Sequence, residues 1–297
     1  MELKYIVKEN GKNKTVKQIL KNEFKISNRL ILKLKNNNKI FVNNKNEWID
    51  YCVSSNDVIT VNLDFIEDNS NIIPTKMSLN IIYEDEAFLI IDKPAGIAVH
   101  PSILHFENSL SNGIKFYFDS INLHRLIRPV NRLDRNTSGL VIFAKNEYVQ
   151  ESLIKQMKEN LFSKEYLCLI SGNLNIASGI INAPIARKEN SIIERCVSFE
   201  NGQKSITEYE ILKNFEKFSL VKCKLKTGRT HQIRVHMAYI GHSLLGDDLY
   251  GKSSDLINRQ ALHSSKIEFV HPITNKKMCF TSPVPHDMQN LINTHSI

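Results

Sequence analysis

Apolar side chains recur along this chain with two different periods, and the switches between them outline its elements. Near the start, Val16, Ile19, Leu20 and Phe24 fall at helical spacing. They predict short helices over residues 15–24 and 28–35, the second with Asn28 as its N-cap and Asn36, Asn37 and Asn38 as its stop. Segments 39–42 and 58–63 read as strands, the latter alternating in period two as a strand with one buried face does. Together they predict a compact ααβ-type unit.

From residue 64 the chain turns acidic and then polar through DFIEDNSNIIPTKM, with Pro74 inside, so a domain boundary is expected within 64–77. A small unit over residues 1–70 and a larger one over 78–290 follow from it. In the larger one, strands are predicted at 88–92, 140–144, 166–170, 206–213, 218–226, 267–270 and 278–280. An amphipathic helix capped by Asn146 carries Val149, Leu153, Ile154 and Met157. Long alternating strands without a regular βα rhythm predict an α+β class, with a mostly antiparallel mixed sheet, surrounding helices and a cleft along one sheet face.

Composition narrows the class. With 297 residues, 42% of them apolar, the chain can bury a sizeable core. Its apolar runs are too short to cross a membrane and its first residues lack a signal-peptide core, so a cytoplasmic protein without membrane partners is expected. Five cysteines in no Cys-x-x-Cys spacing predict no disulfide framework, and His231 and His236 lie five apart, off the helical pairing of a zinc site. No metal and no cofactor is expected, since dinucleotide and P-loop motifs are missing too.

The net charge of +8 is concentrated: residues 1–50 hold twelve Lys or Arg against five Asp or Glu. Lys33, Lys35 and Lys39 cluster near the turn after the second helix. A small basic module on a nearly neutral body marks a nucleic-acid anchor, although compositional drift toward Lys and Asn gives the same count.

Candidate chemistry centres on NRLDRNTSGL, residues 131–140, where Asp134 stands between Arg132 and Arg135 just before an apolar strand. Alone, this is as well read as a structural salt bridge. Two further stretches answer to it. In FSKEYLCL, residues 162–169, Lys164 and Tyr166 point the same way, placed to meet a phosphate and stack on a base; a tyrosine bonded at a buried edge is the plainer alternative. In TGRTHQIRVHMAYIG, residues 227–241, Gly228 allows a tight turn and Thr230 can cap a helix that ends at Gly241. Arg234 falls in its first turn, against the helix dipole, and calls for an anion such as Asp134 or a phosphate.

With these motifs in order, and with YEDEAFLIIDKPAGIAVHP, GHSLLGDDLYG, QALHS and HPITNKKMCFTSPVP around them, the chain resembles the RluA-type pseudouridine synthases over roughly residues 78–290. The amino-terminal unit is similar to the S4-like RNA-binding domain that ribosomal members carry. The resemblance implies Asp134 as the catalytic aspartate, Tyr166 as the residue stacking on the target uracil, Arg234 as the aspartate's basic partner, and Arg132 as the filler of the vacated base stack. Asn131 and Asn136 depart from the family, which often has His and Asp there.

It further implies a monomer that isomerises uridines in RNA, with large-subunit ribosomal RNA the expected partner. A non-catalytic RNA-binding or ribosome-assembly factor, or the same reaction on transfer RNA, are the competing readings. The isomerisation adds and removes no atom, so one carboxylate suffices where a glycoside hydrolase needs two. Covalent attack on C1′ and a glycal route both remain open to Asp134.

Overall fold

The computed structural model describes residues 1–101 and 106–295. Its first unit contains β1 (Glu2–Ile6), α1 (Val16–Asn22), α2 (Asn28–Asn36), β2 (Ile40–Val42), β3 (Lys45–Asn46) and β4 (Val58–Asn62), with the strands in the order β1-β4-β2-β3. Thr15 caps α1 reciprocally: its hydroxyl accepts the Gln18 N–H while the Gln18 side chain takes the Thr15 N–H. For α2 the cap is Ser27 rather than Asn28, because Ser27 has the extended backbone a cap requires and its Oγ accepts from Leu30 N–H at 3.2 Å. The apolar stripes of both helices close over Ile40, Ile59 and Val61.

The second unit contains β5 (Ile81–Glu84), β6 (Phe88–Lys93), α3 (Leu110–Ser120), β7 (Arg128–Pro129), β8 (Ser138–Ala144), α4 (Glu147–Lys158), β9 (Ser163–Ser171), β10 (Ser178–Asn182), β11 (Ile185–Arg187), β12 (Arg195–Val197), β13 (Ile206–Asn214), β14 (Phe218–Leu225), α5 (Gln232–Tyr239), β15 (Leu262–Val270), β16 (Lys277–Thr281) and α6 (His286–Thr294). Ten of these strands form one mixed sheet, ordered β10-β13-β14-β9-β15-β8-β6-β5, with β16 beside β15 and β7 beside β8. Its pairs are antiparallel except β15 with β8. The architecture is α+β, as the strand pattern predicts.

Every residue of β8 is buried, so the strand sits in the core on both faces. Gly139 makes its pairing with β15 possible: a Cβ there would lie 2.3 Å from the Ser264 carbonyl oxygen, and its φ is +110°. The turn that precedes β8 therefore hangs from the most rigid part of the sheet.

The acidic stretch after residue 63 is tied down by ion pairs. Asp64 meets Arg125 at 2.6 Å, Glu67 forms a nearly buried pair with Arg128, and Asn69 donates to the Arg125 carbonyl at 2.8 Å. Across the two units, the buried carboxylate of Glu147 in the first turn of α4 receives Arg29 and Lys33, and Ser27 donates to Glu151 at 2.9 Å. No helix among the described residues is long and apolar enough to cross a membrane.

Candidate active site

The turn carrying Asp134 is clasped from several sides before any side chain is considered. Asn131 bridges to β8, donating to the Leu140 carbonyl at 3.0 Å and accepting the Ile142 N–H at 2.9 Å. Lys93, wholly buried at the end of β6, gives its three N–H donors to the carbonyls of Pro94, Ile97 and Arg135 at 2.8, 2.8 and 3.0 Å. On the other side Arg259 donates to the Asn136 carbonyl at 3.1 Å while forked onto Asp287 at 2.6 and 2.9 Å. The carbonyls following Asp134 are thus fixed, and its carboxylate projects into the cleft from an immobile base.

Neither neighbouring arginine pairs with Asp134. Arg132 is exposed on the cleft rim, and Arg135 donates from Nε to the Gly96 carbonyl at 2.9 Å. The carboxylate instead meets Arg234, one hundred residues away in sequence, with Nη1 to Oδ2 at 3.4 Å. Asp134 is one of the two anions, with a phosphate, that the first-turn position of Arg234 calls for.

Asp134 is, however, only the second partner of Arg234. Asp247, with no exposure, accepts from Nε at 2.7 Å and from Nη2 at 2.8 Å, a bidentate fork that fixes the guanidinium plane. The Tyr250 ring lies 5.0 Å from the guanidinium carbon. Burial works against the charged guanidinium, but Asp247 and then Asp134 more than offset it and hold the group protonated. Asp247 carries the dipole compensation that the sequence leaves to Asp134 or a phosphate.

The helix bearing Arg234 starts one residue later than expected. His231, not Thr230, is the N-cap residue, with φ of 58° and no capping bond from its side chain. Gln232 orders the approach, accepting from the Thr227 hydroxyl at 2.8 Å and Arg229 N–H at 2.9 Å and donating to Thr207 Oγ1 and the Ile206 carbonyl, both at 3.0 Å. The left-handed residue sends the His231 ring toward Asp134, with Nε2 3.8 Å from Oδ1. His236 faces the other way, buried between Thr207 and the Ala183 carbonyl at 2.8 and 2.9 Å.

Tyr166 sits in β9, in register with Cys223 on one side and Ser264 on the other, and is only 5% exposed. It lines the same cleft as Asp134, so its place is the cleft wall instead of an open sheet face. Burial raises its phenol well above the ordinary tyrosine range, and the nearby Asp134 charge adds to that. Lys164 lines the cleft from the same strand, its ammonium disfavoured by burial.

The cleft holds about 920 Å³ and is walled by the Asp134 turn, α4, β9 and the loop before α5. Among its described lining residues Asp134 is the single acid, against Arg132, Lys158, Lys164, Lys226, Arg229 and Arg234. Such a surface attracts a polyanion and presents it with one carboxylate. Of the amino-terminal lysines, Lys33 is engaged by Glu147, Lys35 lies 5.2 Å over the exposed Trp48 ring, and Lys39 is half-buried before β2. Asp247, His231, Tyr250 and Lys93 escape a sequence reading: only the Gly-rich surroundings of Asp247 and Tyr250 hint at a built loop.

Residues 87–239 match the model of the family described as RNA pseudouridylate synthase. The "Uncharacterized RNA pseudouridine synthase YhcT" of Bacillus subtilis is 37% identical over 295 residues, covering 99% of this chain and 97% of that protein. The "Ribosomal large subunit pseudouridine synthase D" of Zymomonas mobilis is 37% identical over 232 residues, 73% of each chain. Among solved structures, "Human RNA Pseudouridylate Synthase Domain Containing 1" superposes with a TM-score of 0.59 at 24% identity, over 73% of this chain and 94% of that one, a likeness of fold. A family region running from β6 through α5, together with one relative alike along nearly its whole length and another along about three quarters of it, makes this chain a member of the RNA pseudouridylate synthase family, an RNA pseudouridine synthase.

Proposed function

We propose that the protein converts uridines of large-subunit ribosomal RNA to pseudouridine with Asp134 as the acting carboxylate and no cofactor. The observation that carries this reading is that, among the described residues, one acid faces six cationic residues in the cleft lining. A polyanion drawn into that cleft meets one group able to act at its sugar carbon. Because Arg234 is held by Asp247 and touches Asp134 only at 3.4 Å, the carboxylate is supported electrostatically without being consumed by a tight bond. The names of relatives such as the Zymomonas protein support the ribosomal substrate.

In this reading a uridine leaves its stack, which costs a few kcal/mol. Its base rests against Tyr166, a contact worth roughly 1–3 kcal/mol, while Arg132 on the rim fills the gap left behind. Lys164 meets a phosphate beside the base. The unit over residues 1–70 acts as an S4-like RNA-binding module, with Lys35 and Lys39 on its RNA side, and the protein works as a monomer in the cytoplasm.

The test is release of tritium from RNA labelled at uridine C5. Asp134→Asn should abolish release while RNA affinity stays within a few-fold. Undiminished release by this variant sinks the assignment; comparably slow release by the unaltered protein favours a binding-only role.

A further inference from the structure

The Asp134 carboxylate is approached on its second oxygen by a group that belongs to a directed hydrogen-bond chain. The backbone N–H of Arg195, at the start of β12, donates to the Tyr250 hydroxyl at 2.8 Å. That hydroxyl also lies 2.8 Å from His231 Nδ1. A phenol oxygen that already accepts from a backbone N–H has its own proton to place, and Nδ1 is the acceptor within reach. Nδ1 is therefore the lone-pair nitrogen, and in a neutral ring the proton falls on Nε2. Nε2 is the atom facing Asp134 Oδ1 at 3.8 Å.

We propose that His231 is a positioning residue for the reaction: a neutral imidazole whose Nε2–H, fixed in that tautomer by the Tyr250 hydroxyl and the Arg195 amide, steadies Asp134 Oδ1 opposite Arg234. The inference rests on the reading of Asp134 as the acting carboxylate. Separations of 3.4 and 3.8 Å on the two carboxylate oxygens leave room for both donors to draw in when a nucleotide fills the cleft.

Further features of the site support it. Burial pushes the His231 imidazole below its ordinary range, opposed by Asp134 and assisted by Arg234 and Arg195, with Asp247 also opposing. Adding a second proton would also force Tyr250 to accept from two donors, leaving its own proton without a partner. His231 also occupies a left-handed backbone position, with φ of 58°, which is uncommon outside glycine and directs its ring toward Asp134.

The tautomer is measured on the unaltered protein. In long-range nitrogen–proton correlation spectra at neutral pH, the assigned His231 ring should show a bare Nδ1 and a protonated Nε2, and Tyr250→Phe should blur that preference. A ring protonated on Nδ1, or doubly protonated, overturns the inference while leaving the reading of Asp134 intact.

Kinetics give the second arm. His231→Leu should lower kcat about tenfold or more with KM within about twofold, and His231→Gln, which returns an N–H donor, should recover most of the loss. Both substitutions meet the same backbone strain, so their difference reports the donor. Equal kcat in the two variants, whether high or low, overturns the proposal.

Discussion

Arg234 forks onto Asp247 at 2.7 and 2.8 Å and reaches Asp134 with its remaining nitrogen at 3.4 Å. The geometry ranks the partners: the fully buried Asp247 fixes the guanidinium plane, and Asp134 receives a charge whose position it does not itself determine. A carboxylate outside the Arg234–Asp134 pair thus sets the field at Asp134.

Asp247→Ala should consequently cost both stability and activity. Breaking a buried ion pair on one side costs about 3–5 kcal/mol, and here the guanidinium would be left with Asp134 at 3.4 Å as its remaining carboxylate. Asp247→Asn keeps the shape but loses the fork's charge, and should fold while its kcat falls about tenfold or more. Thermal unfolding and tritium release, run side by side, check both; full activity in the Asn variant contradicts this ranking.

Lys93 predicts a pH effect on stability. Burial pushes its ammonium from 10.5 down to about 7, with Asp134 opposing the shift. Between those two values the unfolded chain binds the proton more readily than the folded one, so this group makes stability rise with pH across the window. Lys93→Met should flatten that rise in urea denaturation and lower stability overall, since three carbonyls lose their donor. Parallel pH slopes for the two proteins would remove Lys93 as the cause.

For the amino-terminal lysines, location separates two roles. Lys33 faces Glu147, so Lys33→Ala should loosen the two units, seen as faster proteolytic cleavage between them, with little change in the salt dependence of RNA binding. Lys35, over the exposed Trp48, should behave in the opposite way, with Lys35→Ala reducing the salt slope by about one phosphate contact. Deleting residues 1–64 should flatten the slope further; an unchanged slope would mark the basic composition as drift.

Gly139→Ala probes the β8–β15 seam. A left-handed backbone and a Cβ 2.3 Å from the Ser264 oxygen combine to cost about 2–6 kcal/mol. The melting temperature should fall steeply, and a shift under a degree would show that the seam relaxes.

Much of this was legible in the chain because periodicity reports burial. The stripes of α1, α2 and α4 and the apolar run of β8 locate those elements to within a few residues. β1 escaped because only its alternate residues are half-buried and its stability comes from pairing with β4, 52 to 60 residues further along the chain. α3 hid behind an unusual start, with Ser109 and Asn112 closing the capping box in place of a Glu or Gln.

At the site, Asp134, Tyr166 and Arg234 do converge, but their supports were invisible. Lys93 beside Pro94 reads as the end of a strand, and only three inward carbonyls reveal that its ammonium is buried. Asp247 is one of two adjacent aspartates, and spacing alone does not say which turns inward. His231 acts through a backbone conformation that no side-chain pattern encodes.

The Asp134 turn hangs from a strand with no exposed residue and is gripped by Asn131, Lys93 and Arg259. Hydrogen bonds in such surroundings open only when the whole domain does. The enzyme therefore meets its substrate as an anvil: induced fit falls to the nucleic acid, and RNAs should be ranked by how easily their own helix lets one nucleotide go.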